Sequence, residues 1–388
     1  MSNWFQPSSL EHDIRQAVQA LCRRFPNEYW RQLDREKAYP EAFVKTMTDA
    51  GWLSILIPEA YGGGGMGVSA AAAVLEEVHR SGGNAAACHA QMYIMGTLLR
   101  HGSEEQKAAY LPKIAGGMLR LQAFGVTEPD AGSDTTRINT RAERKGDRYV
   151  ITGQKVFTSR AEHSDLLLLL ARTAPYDSNH RADGLSIFLV DLRQAVHNGL
   201  QIRPLETMLN HATTELFFDN LEIPAENLIG DEGQGFRYIL DGMNAERILI
   251  AAECIGDGYW FIERAASYAS TREVFDRPVG ANQGVQFPIA VAYAQIEAAN
   301  LMRIKAAHLF EAGQPCGPEA NMAKLLASEA AWQAANACLD THGGYGFATE
   351  FDVERKFRET RLYKIAPINN NLILAYLAHK VLGMPKSY

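Results

Sequence analysis

The chain has no apolar run near the ~20 residues that a membrane-spanning helix needs. The longest obvious one, Leu166 to Ala171, has the length of a buried strand. Cysteine is scarce. Cys22, Cys88, Cys254, Cys316 and Cys338 are an odd number with no two close together. That opposes a disulfide framework or a Cys-based zinc site and fits a reducing compartment, cytoplasmic or the mitochondrial matrix after processing, not secreted. The eleven histidines include no H-E-x-x-H frame, so no metal site is expected. No run of Lys and Arg stands out, and a net charge of -7 opposes the binding of a phosphate backbone. The opening "MSNWFQPSSLEHD" has no basic region followed by an apolar core, so no signal peptide is expected.

What is present is ordinary for a soluble globular protein: 388 residues, 47% hydrophobic and 21% charged, enough for two or three domains. Three segments follow one another. Residues 1–120 read as helices, including "SAAAAVLEEVHR" and "SEEQKAAYLPKIAGG". The latter has Ser103 and Gln106 at capping-box spacing and stops at Gly116 and Gly117. Residues 121–230 change character. "DRYVITGQKVFTS", "DLLLLLART", "GLSIFLVDL" and "TTELFFDNLEIP" are short β-branched or aromatic runs between turn residues, which predicts a mainly antiparallel β domain. Residues 231–388 return to helical apolar spacing in "YILDGMNAERILIAAECIGDGYWFIERAASYAS" and two later runs. The expected class is α+β: an N-terminal helical domain, a central antiparallel β domain and a C-terminal helical bundle.

One glycine cluster invites a dinucleotide-binding reading. In "YGGGGMG", Gly62, Gly64 and Gly67 match G-x-G-x-x-G. Four residues separate it from the preceding apolar run, and no acidic residue falls within Ala85 to Ala90. The rest of the chain does not alternate strand and helix, so a loop between helices is the better reading.

Two stretches carry more chemistry. "FGVTEPDAGSDTT" is a small, polar loop whose N–H groups and hydroxyls could meet a polarised heterocycle. "GQKVFTS" places Phe157 and Ser159 two residues apart, on one face of a regular strand. Pattern alone leaves an ordinary half-buried strand at least as good a reading.

Together these stretches resemble the acyl-CoA dehydrogenase family. "VTEPDAGSD" resembles its flavin-binding signature, with Asp130 where Gly is commoner. "GQKVFTS" resembles its second flavin strand, with Phe157 and Ser159 where many members have Trp and Thr. "TREVFDRPVGANQGVQF" and "DTHGGYGF" resemble two later segments, the second with Asp340 in place of Gln. The likeness runs from about residue 50 to 375. It implies FAD. Phe124, Val126, Thr127 and Ser133 would line the flavin, with Ser133 also reaching the thioester. Phe157 would stack on the ring, Ser159 would hydrogen-bond near N5, and Thr158 between them would also bind the cofactor. Arg272, Phe275, Gln283, Asp340, Gly343 and Gly344 would serve the pyrophosphate and adenosine of a neighbouring subunit's FAD. Asn369 and Asn371 would complete the site. A homo-oligomer is therefore implied, a tetramer or at least a dimer, with an acyl-CoA substrate and an electron-transfer flavoprotein as acceptor. On pattern alone, Arg272 would be a surface salt bridge.

Removing a proton next to a thioester needs a base. Medium-chain members carry it as Glu in a Y-E-G-T segment. The matching stretch here is "YKIAPINNN", with Pro367 at that position. Members resembling isovaleryl-CoA and long-chain dehydrogenases carry the Glu on a helix, and "NAERILIAA" matches that context. The resemblance makes Glu246 the base and Asn244 and Arg247 its substrate-side neighbours. Residues 246, 250, 253 and 257 share a helix face, which would equally suit a solvated acidic stripe. Pro367 also lacks the N–H that helps hold the thioester oxygen in the family, a loss of ~3 kcal/mol in comparable sites. Ile368 could supply the donor instead, or a ribityl hydroxyl could act more alone. The expected reaction is α,β-dehydrogenation of a branched or longer acyl-CoA to the trans-2-enoyl-CoA. A flavin-dependent oxidase or monooxygenase, or a non-catalytic acyl-CoA-binding protein, stays open as an alternative.

Overall fold

The computed structural model describes residues 9–387, so the first eight residues of the N-terminal segment read above lie outside the described residues. In chain order the helices and strands begin with α1 (Ser9–Cys22), α2 (Asn27–Glu36), α3 (Glu41–Asp49), α4 (Val68–Arg80), α5 (Ala86–His101) and α6 (Glu104–Ala115). The strands are β1 (Leu121–Gly125), β2 (Arg141–Lys145), β3 (Arg148–Ser159), β4 (Leu166–Arg172), β5 (Leu185–Asp191), β6 (Leu200–Pro204), β7 (Thr213–Pro224) and β8 (Leu228–Ile229), with the short helix α7 (Leu192–Ala195) after β5. Then come α8 (Gly235–Thr271), the hairpin β9 (Glu273–Val274) and β10 (Arg277–Pro278), α9 (Gln283–Glu311), α10 (Gly317–His342), α11 (Val353–Arg361) and α12 (Asn370–Tyr376). The expected order of helices, sheet and helices is therefore observed. By internal contacts the chain forms two units. One comprises residues 37–66 and 86–243; the other comprises, among the described residues, 9–36, 67–85 and 244–387.

In the first unit the sheet runs β6-β7-β3-β2-β4-β5-β8, with β1 paired to β4. The β1–β4 and β2–β4 pairings are parallel and the rest antiparallel. The run Leu166 to Ala171 is buried throughout because both of its faces are covered. Leu166, Leu168 and Leu170 enter one apolar core with α5 and α6 residues, while Leu167, Leu169 and Ala171 enter a second core with Tyr149, Phe188 and Phe218. The capping box at α6 forms: Gln106 N–H donates to Ser103 Oγ at 3.2 Å, and Ser103 N–H to Gln106 Oε1 at 3.0 Å. The glycine cluster spends its main-chain N–H groups on internal hydrogen bonds. The N–H groups of Gly64, Gly65 and Met66 donate to the carbonyls of Ser54, Ile57 and Ile55 in the preceding apolar run. That run forms a 3-10 turn (Trp52–Ser54), not a strand.

The second unit is helical. Alanines of α9 and α10, including Ala299, Ala306, Ala327, Ala331 and Ala335, are buried, and small side chains let the two backbones approach. Trp260 and Phe261 of α8 pack with Ala292, Ala334, Cys338 and Val353. At Gly256 a Cβ would stand 2.3 Å from the Glu76 carbonyl of α4, so only glycine permits that crossing. None of the five cysteines forms a disulfide, and all are buried. Among the described residues no group of His, Cys, Asp and Glu could hold a metal, and no helix is long and apolar enough to cross a membrane.

Candidate active site

The acidic face of α8 is not solvated. Glu246, Ile250, Glu253 and Asp257 are 5%, 7%, 1% and 0% exposed. Each buried carboxylate needs partners, because an uncompensated charge in a dry interior is costly. Asp257 has them. Its Oδ1 accepts from His79 Nδ1 at 2.8 Å and lies 2.5 Å from Lys356 Nζ, and Thr360 Oγ1 donates to Oδ2 at 2.7 Å. Ala85 N–H donates to His79 Nε2 at 3.1 Å, which assigns the ring proton to Nδ1. Burial alone would raise the Asp257 carboxyl, but Lys356 and His79 outweigh it and hold it down at about 2. The Tyr363 hydroxyl hydrogen-bonds to Glu253. These contacts seat the helix two to three turns beyond Glu246.

Around Glu246, the Arg247 guanidinium donates to Asn244 Oδ1 at 3.1 Å while its Nε is buried with no partner. Burial pulls the Arg247 guanidinium down, and Glu246 opposes that shift. Lys324 of α10 is fully buried and donates to the Ile368 carbonyl at 2.7 Å and Asn370 Oδ1 at 2.8 Å. Burial lowers it to about 8, and the carboxylates of Glu329 and Glu246 oppose that shift. Pro367 is exposed and the Ala366–Pro367 peptide bond is cis. Asn369 caps α12, accepting from Leu372 N–H at 2.9 Å, and Asn371 is exposed.

The sheet unit brings the loop Val126–Ser133 against β3. Val156 N–H donates to the Thr127 carbonyl at 2.9 Å, and Lys155 Nζ to the Val126 carbonyl at 3.0 Å and Glu128 Oε1 at 2.8 Å. Glu128 also accepts from the N–H groups of Asn139 (2.6 Å) and Thr140 (2.8 Å). Burial drives Lys155 down to about 8, and Glu128 partly restores it. Burial pushes Glu128 up, yet Lys155 and its N–H donors leave it below its ordinary value. Burial alternates at the end of β3, with Phe157 exposed, Thr158 buried and Ser159 half-buried, but the ladder there is irregular. Pairing with β7 shifts between Lys155 and Thr158, and Phe157 takes φ 58°, so its ring is 62% exposed. Thr158 is buried with its hydroxyl unpartnered. Phe124 is half-buried, with Tyr93 edge-on at 6.0 Å; Thr127 and Ser159 are half-buried and Ser133 exposed.

The remaining predicted residues lie in the helical unit. Phe275 and Asp276, φ 56° and 60°, form the two-residue turn between β9 and β10. Phe275 is 94% exposed, an unusual place for an aromatic in left-handed backbone. Arg272 is exposed, and its guanidinium stands 6.0 Å from the Tyr345 ring rather than in an ion pair among the described residues. Gln283 opens α9 and Asp340 lies near the end of α10, both exposed. Gly343 and Gly344 have open space where a Cβ would stand, as does Gly132.

Sequence reasoning passed over Lys155, Glu128 and Lys324. A signal existed for the last. Positions 320, 324, 327 and 331 share one face of α10, and the other three are alanine, so a lysine there is in the buried phase.

The mainly antiparallel sheet bearing a hydroxyl-rich loop and an exposed ring, and the helices bearing a buried glutamate, agree with the flavin-dependent oxidoreductase that the sequence resembles. Models of the acyl-CoA dehydrogenase N-terminal, middle and C-terminal domains match residues 8–118, 123–221 and 233–379, and the chain belongs to the acyl-CoA dehydrogenase family. A glutaryl-CoA dehydrogenase of Desulfococcus multivorans is 35% identical over 385 residues, 96% of this chain and 97% of the relative. The mitochondrial short/branched chain specific acyl-CoA dehydrogenase of Rattus norvegicus is 33% identical, covering 90% and 80%. A chain from the solved structure of the electron transferring flavoprotein of Acidaminococcus fermentans superimposes with TM-score 0.91 at 29% identity, covering 97% and 99%. The protein is thus an oxidoreductase that dehydrogenates acyl-CoA, and its cofactor is FAD. The residues fit that group: an exposed aromatic ring, neighbouring hydroxyls, an orphaned Thr158 hydroxyl and an uncrowded Gly132.

Proposed function

We propose that the chain converts a branched or longer acyl-CoA to the trans-2-enoyl-CoA with Glu246 as the base. The observation that carries this reading is the burial of Glu246 on α8 beside the Asn244–Arg247 pair, while the tail offers Pro367 where a carboxylate would otherwise serve. The Glu246 carboxylate takes the α-proton. The electron pair of that C–H bond becomes part of the new α,β double bond as the β-hydrogen departs with its own pair. Bound FAD supplies the two-electron acceptor for that hydrogen. A buried carboxylate is the better base because little water competes for it.

Phe124, Val126, Thr127, Ser133, Phe157, Thr158 and Ser159 hold the flavin, and Lys155 and Glu128 brace their loop. Arg272, Phe275, Gln283, Asp340, Gly343 and Gly344 serve a neighbouring subunit's FAD, and Asn369 and Asn371 complete the site. The ring of Phe275, 94% exposed at a hairpin tip, supports this reading, since a strained aromatic in water gains nothing in an isolated chain. The working form is a homo-oligomer, a tetramer by family resemblance. Electrons pass to an electron-transfer flavoprotein. The relatives' names span different acyl groups, so the acyl chain rests on the helix-borne base, which leaves the Pro367 side free for bulk.

Anaerobic addition of a panel of acyl-CoAs tests the reading. Bleaching of FAD absorbance with branched or longer chains is expected. No bleaching with any acyl-CoA would overturn it, and rapid peroxide release in air would favour an oxidase.

A further inference from the structure

The tail that follows Pro367 is held by one buried cation. Lys324 is 0% exposed, and its two acceptors, the Ile368 carbonyl and Asn370 Oδ1, both belong to that tail. Asn370 is itself fixed, donating to Ser328 Oγ at 3.1 Å and Glu329 Oε1 at 2.8 Å, and Glu329 accepts from Lys364 at 2.7 Å. An ammonium is an expensive group to bury. A neutral side chain could pack the same space, so retaining a lysine here calls for a task that needs its charge and its donors.

We propose that Lys324 is a positioning residue of the reaction: by clamping the Ile368 carbonyl and Asn370 it fixes the backbone beyond Pro367 and sets a positive charge in reach of Glu246. The electrostatic part of this proposal rests on the base assignment to Glu246; the backbone clamp does not. Three observations converge on it. Proline removes one N–H and fixes φ at 367. The next N–H, that of Ile368, donates to no acceptor among the described residues. The carbonyl of the same residue is the one that Lys324 grips. Ile368 N–H therefore lies between two constraints, the proline ring before it and the clamped carbonyl after it. That is the preorganisation an oxyanion donor requires.

The electrostatic part is local to the same residues. Lys324 is faced from α8 by Glu246, Arg247 and Cys254 and along its own helix by Glu329. Arg247 is faced in turn by Glu246, Tyr376 and Cys316. Glu246 and Glu329 are the acidic members of this set; Lys324 and Arg247 are cations opposite them, and Lys364 is a third, paired with Glu329. Removing Lys324 takes away one of the two cations coupled to Glu246 and leaves Glu246 easier to protonate.

The test measures exchange of the substrate α-hydrogen with D2O, using an acyl-CoA analogue that has no removable β-hydrogen. This step needs the base and the oxyanion donor but no net reduction of FAD. In Lys324→Met, exchange should fall about 10²-fold, the loss expected when a reacting group is displaced by ~1 Å. FAD content, helical circular dichroism and analogue affinity should stay near wild type, and the acid limb of the exchange profile should move to higher pH. Asn370→Ala removes one of the two acceptors and should lower exchange less, without moving the acid limb. If Lys324→Met does not fold, Asn370→Ala decides alone. Exchange within twofold of wild type in the folded variants would overturn the clamp, as would losses matched by equal losses of FAD and analogue binding. Exchange at the wild-type rate in Glu246→Gln, with slow exchange in Lys324→Met, would overturn the base assignment and leave the clamp standing.

Discussion

Replacing Lys356 by methionine tests whether the base helix is seated by charge. Lys356 Nζ lies 2.5 Å from Asp257 Oδ1 and 3.3 Å from Glu359 Oε2, and donates to the Gly83 carbonyl at 2.9 Å. Lys356 and Asp257 are both fully buried. Asp257 titrates at about 2 instead of 3.8 because Lys356 and His79 outweigh the burial that would raise it. A shift of that size is worth about 2 kcal/mol of folding free energy. The sign follows from a depressed carboxyl: the contribution is complete above pH 3.8 and is lost as pH falls through about 2. Methionine keeps the volume but leaves Asp257 with His79 and Thr360 alone, so at pH 7 the loss should be about 3–5 kcal/mol. Urea unfolding followed by far-UV circular dichroism measures it. Asp257→Asn should destabilise too, and the double variant should cost less than the sum of the singles, because neither charge is then left alone. A Lys356→Met loss below about 1 kcal/mol, or strict additivity, would refute the argument that these charges depend on each other.

Three further outcomes follow. Phe275→Ser should lower FAD retention on dilution and reduce the oligomer seen by light scattering; an unchanged assembly with full FAD would contradict its role toward a neighbouring subunit. Glu128→Gln should loosen the Val126–Ser133 loop by weakening its grip on Lys155, read as a raised FAD dissociation constant at unchanged melting temperature for the helical unit. Lys155 and Lys324 both titrate near 8, below the ordinary 10.5. Unfolding takes up protons between those values, so their contribution to stability rises with pH there. Activity should therefore fall above pH 8 while the melting temperature holds or rises, and a parallel fall of both would sink the assignment.

Much of the fold was legible because periodicity carries it. The doubly buried run Leu166 to Ala171, the capping box at Ser103 and the long helix through Glu246 all announce themselves in residue spacing. The glycine cluster was legible as a loop, since the distance from apolar run to glycine forbids a phosphate-binding turn. The local backbone at Phe157 was not. Period-2 reasoning assumes an unbroken ladder and does not foresee a one-residue shift against β7 or a left-handed Phe157. The burial of Glu246, Glu253 and Asp257 was undecided in the sequence. A carboxylate stripe reads the same wet or dry until the residues that pair with it, His79, Lys356 and Tyr363, are brought from elsewhere in the chain. Lys324 escaped notice because a single lysine in an alanine-rich helix is an ordinary surface pattern unless its phase is examined.

The most direct test of the account is the rate of anaerobic FAD reduction by the best acyl-CoA substrate in Glu246→Gln. Glutamine keeps the size and burial of the side chain but cannot accept the α-proton. The account predicts a folded, FAD-loaded, substrate-binding variant whose reduction is slower by at least about 10²-fold, the low end of what a positioned general base contributes. Reduction at the wild-type rate would contradict it.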